Sequence, residues 1–418
     1  MTEAVFTSWL QAGESIAAAA TRFAHLGANS VFEAGATEAN VDRPLRDAGT
    51  FSNLLVRVSA ITMTDSSTFD LRDDGVSTAL TVTIGTTAGD YEDTANTAAP
   101  AAASLINWRV VAGTTGTSFT ITMVSVEFDS TSNCVTILAT DAAGSSNLSV
   151  ASTTNFFGAL GDRTTSTTED TWDFRVRAGC TWSDLRFQVG TCTRTTDVTV
   201  VSRVEAANGN QSITATGGDD NVAYEDTANS DTLVVDNDID ISFTTGTGTG
   251  NWNLEKIGST LITTTREFFL CVHGNPERFN AGLTRFWPIG GGMTGGEEAT
   301  EANVTLPAPF ACTLSDLTAK CTAATGVIDS TIRARVSGAN GNQVINFVDG
   351  ATGVVTDASN TDAVAFDANI NTSLVTVNGT NVDFSYVAMM GVTAAAGGNP
   401  KGIFGLPLDG PLRRVVYP

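Results

Sequence analysis

Carboxylates are the one chemically active residue type that this chain holds in quantity: 45 Asp and Glu against 22 Lys and Arg, with only two His, His25 and His273. Two arrangements of them suit chemistry. Asp231, Asp236, Asp238 and Asp240 crowd one stretch, and Asp362, Asp367 and Asn369 repeat its spacing. Closely set carboxylates are what Ca²⁺, with roughly six to eight oxygen ligands, requires. Neighbouring acids at Glu92-Asp93 and Glu225-Asp226 offer the pair that a glycosidase uses as acid and nucleophile. Each reading meets a plainer one. Alternate residues of a strand share one face, so a row of acids there is ordinarily solvated, and no EF-hand pattern accompanies it. Adjacent residues on extended chain point to opposite faces, and the third copy, Val355-Thr356-Asp357, has lost its Glu. Asp93, Asp226 and Asp357 instead suit turns in which an Asx side chain caps backbone amides. The sequence therefore predicts no metal, no cofactor and no catalytic residue.

Other chemistry finds little material. The chain has no Gly-x-Ser-x-Gly elbow, no His-Glu-x-x-His pair and no Walker loop. Gly246-Thr247-Gly248-Thr249-Gly250 reads as a hairpin tip. Cys134, Cys180, Cys192, Cys271, Cys312 and Cys321 form no Cys-x-x-Cys pair, and free, buried thiols are the preferred reading. Sequons at Asn147, Asn210, Asn303, Asn371 and Asn378 arise readily in a chain rich in Asn, Ser and Thr. A net charge of −23 repels phosphate backbones, so nucleic acid is not an expected partner. Neither is a membrane: Ile16–Ala20 is too short to span one, and Glu3 and Glu14 stand where an export signal carries basic residues.

The elements that position these residues are repeated. Ala36-Thr37-Glu38-Ala39-Asn40-Val41 recurs unchanged at Ala299–Val304, with a weaker copy, Thr168-Glu169-Asp170-Thr171, midway. Glu38, Glu169 and Glu301 are thereby spaced by 131 and 132 residues. Ser52-Asn53-Leu54, Ser183-Asp184-Leu185 and Ser315-Asp316-Leu317 keep the period, as do the turns around Asp93, Asp226 and Asp357. Arg203-Val204 to Gln211 matches Arg335-Val336 to Gln343. Within each copy the hydrophobic period is two: Leu54, Val56 and Val58; Leu185, Phe187 and Val189; Leu317, Ala319 and Cys321. That is the signature of half-buried antiparallel strands. Asn208-Gly209 and Asn340-Gly341 read as hairpin turns.

The expectation is an all-β chain of three tandem antiparallel β-sandwich modules with a short N-terminal helix. Its segments are residues 1–27 (helix and linker), 28–156, 157–285 (with a C-terminal insertion), 286–403 and a tail, 404–418. Phe-x-x-Leu/Ile-Gly segments beginning at Phe23, Phe157 and Phe286 read as linkers between modules, with a degenerate fourth at Phe404.

The Ser-Asn/Asp-Leu strand start, the Asn-Gly-Asn hairpin and the Glu-Asp-Thr-x-Asn turn, in a Thr/Ala/Gly-rich tandem frame, resemble the jelly-roll virion proteins of tailed bacteriophages over most of the chain. That resemblance implies a non-enzymatic structural protein of the virion, a capsid decoration, spike or fibre component assembled in the host cytoplasm. It further implies other virion proteins as partners, and a homo-oligomer, a trimer by preference. The alternatives are a carbohydrate-binding adhesin on a host surface glycan and a polysaccharide-degrading enzyme. Candidate assembly contacts are the apolar and basic residues at the two ends and in the non-repeating stretch before module three. They are Phe6, Trp9, Arg266, Phe268, Phe269, Arg278, Arg285, Arg413, Arg414 and Tyr417.

Overall fold

A computed structural model describes residues 2–405 apart from 27–37, 39–40, 46–47, 131–133, 160–165, 172, 221, 264–266, 281, 289–298, 309–310, 326–329, 349–350, 366–367, 378–380 and 394–400. Strands dominate it. The first unit comprises β1 (Thr2–Ala17), β2 (Thr21–His25), the two-residue β3 (Arg43–Pro44), β4 (Gly49–Met63), β5 (Ser67–Asp73), β6 (Val76–Ile84), β7 (Gly89–Asp93), β8 (Leu105–Val111) and β9 (Gly116–Ser130). One sheet runs β1-β9-β4-β7 and the other β2-β8-β5-β6, all neighbours antiparallel. Setting β3 aside, the eight strands fall in the order 1-8-3-6 and 2-7-4-5. That is the two-sheet Greek-key weave of a jelly roll.

The order recurs twice. In the second unit β10 (Cys134–Asn147), β18 (Trp252–Thr263), β13 (Cys180–Cys192) and β16 (Ala223–Leu233) face β11 (Thr154–Gly158), β17 (Asp238–Thr245), β14 (Val198–Val204) and β15 (Ala207–Ala215), with β12 (Phe174–Arg175) beside β17. In the third, β19 (Glu267–Asn280), β28 (Asn381–Thr393), β22 (Cys312–Thr325) and β25 (Gly353–Asp357) face β20 (Thr284–Trp287), β27 (Asn369–Thr376), β23 (Ser330–Val336) and β24 (Ala339–Phe347). Short β21 (Leu306–Pro307) and β26 (Asp362–Val364) flank them, and β29 (Lys401–Gly405) runs parallel to β1.

Three expectations change. The N-terminal segment holds no helix among the described residues. Its Ala-rich Ile16–Ala20 closes β1 and turns into β2, because ladder pairing to β9 and burial of Ile16 outweigh helix propensity. Pairing also redraws the boundaries. The stretch 263–285 is no insertion of module two: β19 and β20 pair with β28 and β27 and supply the first two strands of module three. Likewise β10 pairs with β18 of module two, and β1 and β2 belong to module one. The Phe-x-x-Leu/Ile-Gly segments accordingly begin on strands rather than in linkers: Phe23, Phe157 and Phe286 lie on β2, β11 and β20, and Phe404 on β29.

The motifs have local causes. Asn53, Asp184 and Asp316 adopt left-handed backbone (φ 53°, 55° and 52°), which Asn and Asp tolerate, and the strand register shifts there. This bulge frees the next amide. Leu185 N donates to Gln211 Oε1 at 2.8 Å and Leu317 N to Gln343 Oε1 at 2.9 Å, tying one sheet to the other. Leu54, Leu185 and Leu317 are fully buried, as their phase predicts.

The hairpin turn falls three residues earlier than expected. Asp74-Gly75, Glu205-Ala206 and Ser337-Gly338 carry positive φ at both centres, the type I′ geometry. Asn208-Gly209 and Asn340-Gly341 lie within β15 and β24. A Cβ on Gly209 would sit 2.6 Å from an Asp231 carboxylate oxygen, and one on Gly341 would sit 2.5 Å from Asp362. These glycines admit a buried carboxylate rather than make a turn.

The modules form a ring. Leu55 and Met123 of module one share a buried cluster with Val304, Leu317 and Ile370 of module three. Tyr386, Ala388 and Met390 of module three share another with Phe174, Leu185 and Phe187 of module two. Leu55 alternates with Leu54 and Val56, which enter the core of module one, and it packs into the core of module three instead. In the linear order one-three-two, modules one and two would be remote ends, yet β1 lies beside β10 and β10 beside β19, with β29 against β1, β10 and β19. The arrangement therefore closes.

Candidate functional site

The repeated contact between modules is the most developed polar site among the described residues. It is built on a cluster inside each module. Glu38, Glu169 and Glu301, the carboxylates of the repeated hexapeptide and its weaker copy, each grip an arginine in two-pronged fashion. Glu38 meets Arg72 at 2.9 and 3.1 Å, Glu169 meets Arg203 at 2.8 and 3.0 Å, and Glu301 meets Arg335 at 2.8 and 2.6 Å. The arginine also donates to a turn carbonyl, that of Gly75, Ala206 or Gly338. One guanidinium thus pins the loop that precedes the third strand to the hairpin between the fourth and fifth. Bidentate Arg–carboxylate pairs are the strong, directional kind. The Arg72 hydrogen bonds hold the Glu38 carboxyl below its ordinary range.

The strand beside the arginine places a third polar residue opposite it: Asn107, Asp240 or Asn371, opposite Arg72, Arg203 and Arg335. Asn107 Nδ2 donates to Glu38 at 3.0 Å and to Asp42 at 2.7 Å. Module two has Asp240 there, 2% exposed. Burial, then the charge of Glu169, pushes its carboxyl up to about 8. Burial thus disfavours a charge at the position where its sisters carry a neutral amide.

From this cluster the chain reaches the neighbouring module. Asp42, Asp173 and Thr305 each follow the cluster Glu by four residues, and Arg57, Gln188 and Lys320 each follow the buried Leu by three. Arg57 of module one donates to the Thr305 carbonyl of module three at 2.9 Å. Lys320 of module three reaches Asp173 of module two, and Asp170 Oδ1 at 2.8 Å. Beside it Tyr386 meets Phe174 edge-on, 5.6 Å between ring centres, and Arg177 donates to Asp316 at 3.2 Å. Burial pushes Asp173 up to about 6 against the pull of Lys320. Arg175, Asp238, Thr322 and Thr352 help to line the cavity of about 380 Å³ left at this junction. Its carboxylates are ion-paired, which suits a polar seam and leaves no free acid–nucleophile pair.

The other carboxylates singled out in the sequence are structural. Asp93, Asp226 and Asp357 accept the amides two and three residues on and the Asn side chain that follows. Each also accepts an amide of the opposite sheet, from Thr81, Ser212 or Val344. Burial opposes their ionisation, but these donors outweigh it and hold them below the ordinary carboxylate range. Of the acidic row, Asp231 accepts from Ser202 and Asn210, Asp236 pairs with Arg177, Asp238 pairs with Arg175 at 2.6 Å and Asp240 lies opposite Arg203. Asp362 accepts from Asn342 and Gln343, Asn369 lies in β27, and Asp367 lies outside the described residues. Among the described residues the row is dispersed over separate partners and forms no metal-binding cluster.

Cys180, Cys192, Cys312 and Cys321 are free and buried, and burial raises the Cys180 and Cys312 thiols to about 12. Trp182, Trp252 and Trp287 are buried. Asn371 is fully buried too, so its sequon is inaccessible. Among the described residues no helix is long and apolar enough to cross a membrane.

Of the candidate assembly contacts, Phe6 and Trp9 lie on β1 opposite Val126 and Met123, and Phe268, Phe269 and Arg278 lie on β19 opposite Gly391, Met390 and Asp383. Arg285 is on β20 and donates to the Thr284 carbonyl. Arg266, Arg413, Arg414 and Tyr417 lie outside the described residues. β1 and β19, the strands on which these candidates lie, both run beside β29. The seam residues Arg57, Asp173 and Lys320 were not foreseen. The signal that could have found them is positional: a cation, a neutral amide and a cation at one repeat position.

Neither a protein-family model nor a curated protein matches the sequence. Among solved structures, the chain is similar to the infectious bursal disease virus VP2 subviral particle. Sequence identity is 8% and the TM-score 0.16, over 94% of this chain and 80% of that chain. Agreement at that level carries no argument about function.

Proposed function

We propose that this chain is a non-enzymatic structural protein of a bacteriophage particle, working as a capsid decoration, spike or fibre component. The observation that carries the reading is the ring itself: three jelly rolls that pack on one another through shared buried clusters and a polar seam. Such a body offers rigidity and surface. Its buried carboxylates serve turns, hairpins and seams, and its buried thiols are poor nucleophiles. The fold alone does not fix a function. The adhesin alternative needs exposed aromatic platforms, and Trp182, Trp252 and Trp287 are buried. The polysaccharide-hydrolase alternative needs two free carboxylates across a cleft, and Asp93 and Asp226 are committed to backbone amides. Mass spectrometry of gradient-purified particles tests the reading. A fixed copy number of the chain per particle supports it, and its absence from particles, or release of sugar from a capsular polysaccharide by the purified protein, overturns it.

A further inference from the structure

We propose that one copy of this chain takes the place of a homotrimer: it is a monomer whose three modules form a covalently joined, pseudo-threefold ring, and it fits a threefold-symmetric seat, one chain per seat. The seat rests on the virion reading above; the monomeric ring does not.

The interface is heterologous, and it is used twice with the same residue positions. The third strand of one module presents Arg57 or Lys320 to the loop before the third strand of the next, at Thr305 or Asp173. Met123 and Tyr386, cross-strand partners of those cations, enter the neighbour's core. The direction is one to three, then three to two. Head-to-tail interfaces of this kind make either a closed ring or an open filament. Contact between β1 and β10 decides for the ring, and the repeat then sets Gln188 of module two towards Asp42 of module one. The strand β29 finishes the middle. It adds to the outer edge of β1 and also touches β10 and β19, so an edge that a separate jelly roll would leave open is covered by the same chain.

Covalent joining also explains why the three seams differ. A partner tethered by a short linker is present at an effective concentration on the order of millimolar, so a seam need not be strong by itself. One seam uses a carbonyl, one uses two carboxylates, and the third has Gln188 where its sisters have a cation. A homotrimer of identical subunits has three identical seams and could not diverge in this way.

Native mass spectrometry of the purified full-length chain is the first test. A species at 43.3 kDa is expected across a dilution series, and a stable species at three times that mass overturns the proposal. The second uses Asp42→Cys with Gln188→Cys and a short bis-maleimide, with Thr305→Cys and Arg57→Cys as the control pair. Both pairs are expected to link within one chain, giving a faster-migrating monomer on a denaturing gel. Links between chains, or a control that links while the 42–188 pair does not, overturn the closed ring. Counting copies in purified particles tests the seat: one chain per threefold position is expected and three overturn it. A chain absent from particles would sink the virion reading and leave the monomeric ring standing.

Discussion

Replacing Asp240 by Asn should make the protein more stable at neutral and alkaline pH. Module two buries a carboxyl where modules one and three bury Asn107 and Asn371. Burial and Glu169 raise that carboxyl to about 8 in the folded chain, against about 3.9 in an unfolded one. Between those values the folded state holds the extra proton, so stability falls as pH rises from about 4 to about 8 and is then level. At about 1.4 kcal/mol per unit the full gap sets a ceiling near 6 kcal/mol. The compensating charge of Arg203 brings the expected gain at pH 8 to about 1–3 kcal/mol. For modules of this size that is an increase of roughly 3–10 °C in Tm. The assay is differential scanning calorimetry of both proteins from pH 5 to 9. The difference should be small at pH 5 and should grow through pH 8. Parallel profiles, or a variant that melts below the parent at pH 8, would refute the upward shift of the Asp240 carboxyl.

Arg335→Ala strips Glu301 of its bidentate partner and the turn of its donor, and should cost about 1–3 kcal/mol in urea titration; no loss would mean the cluster is ornamental. Leu317→Ala should cost about 2–5 kcal/mol, since a fully buried Leu leaves a cavity. Ala206→Gly should stabilise by about 0.5–1 kcal/mol, because the residue sits at φ 59° where modules one and three place Gly75 and Gly338. Cys180, Cys192, Cys312 and Cys321 should resist a thiol reagent in native buffer and react on denaturation; rapid labelling of any of the four in native buffer would contradict their burial.

Much of this fold was legible because it is written three times. The buried phase of Leu54, Leu185 and Leu317, the Asx turns at Asp93, Asp226 and Asp357, and the burial of Cys321 follow from period-two alternation and local turn chemistry. What failed was non-local. The first strand of each jelly roll diverges in sequence, so 263–285 looked like an insertion although it pairs as its sisters do. Ile16–Ala20 looked helical because propensity cannot see the ladder with β9. Asn208-Gly209 looked like a turn because the dipeptide cannot reveal that Gly209 makes room for Asp231, some 22 residues on. The seam was hidden most deeply. Arg57 and Lys320 read as exposed strand cations, and only the packing of one module on another turns them inward.

Small-angle X-ray scattering of the full-length chain in solution tests the closed ring most directly. A ring of three packed modules predicts a radius of gyration of about 22–26 Å, near the compact value for this length. Three sandwiches strung end to end would give about 33 Å by the same scaling, and a value above about 30 Å would contradict the ring.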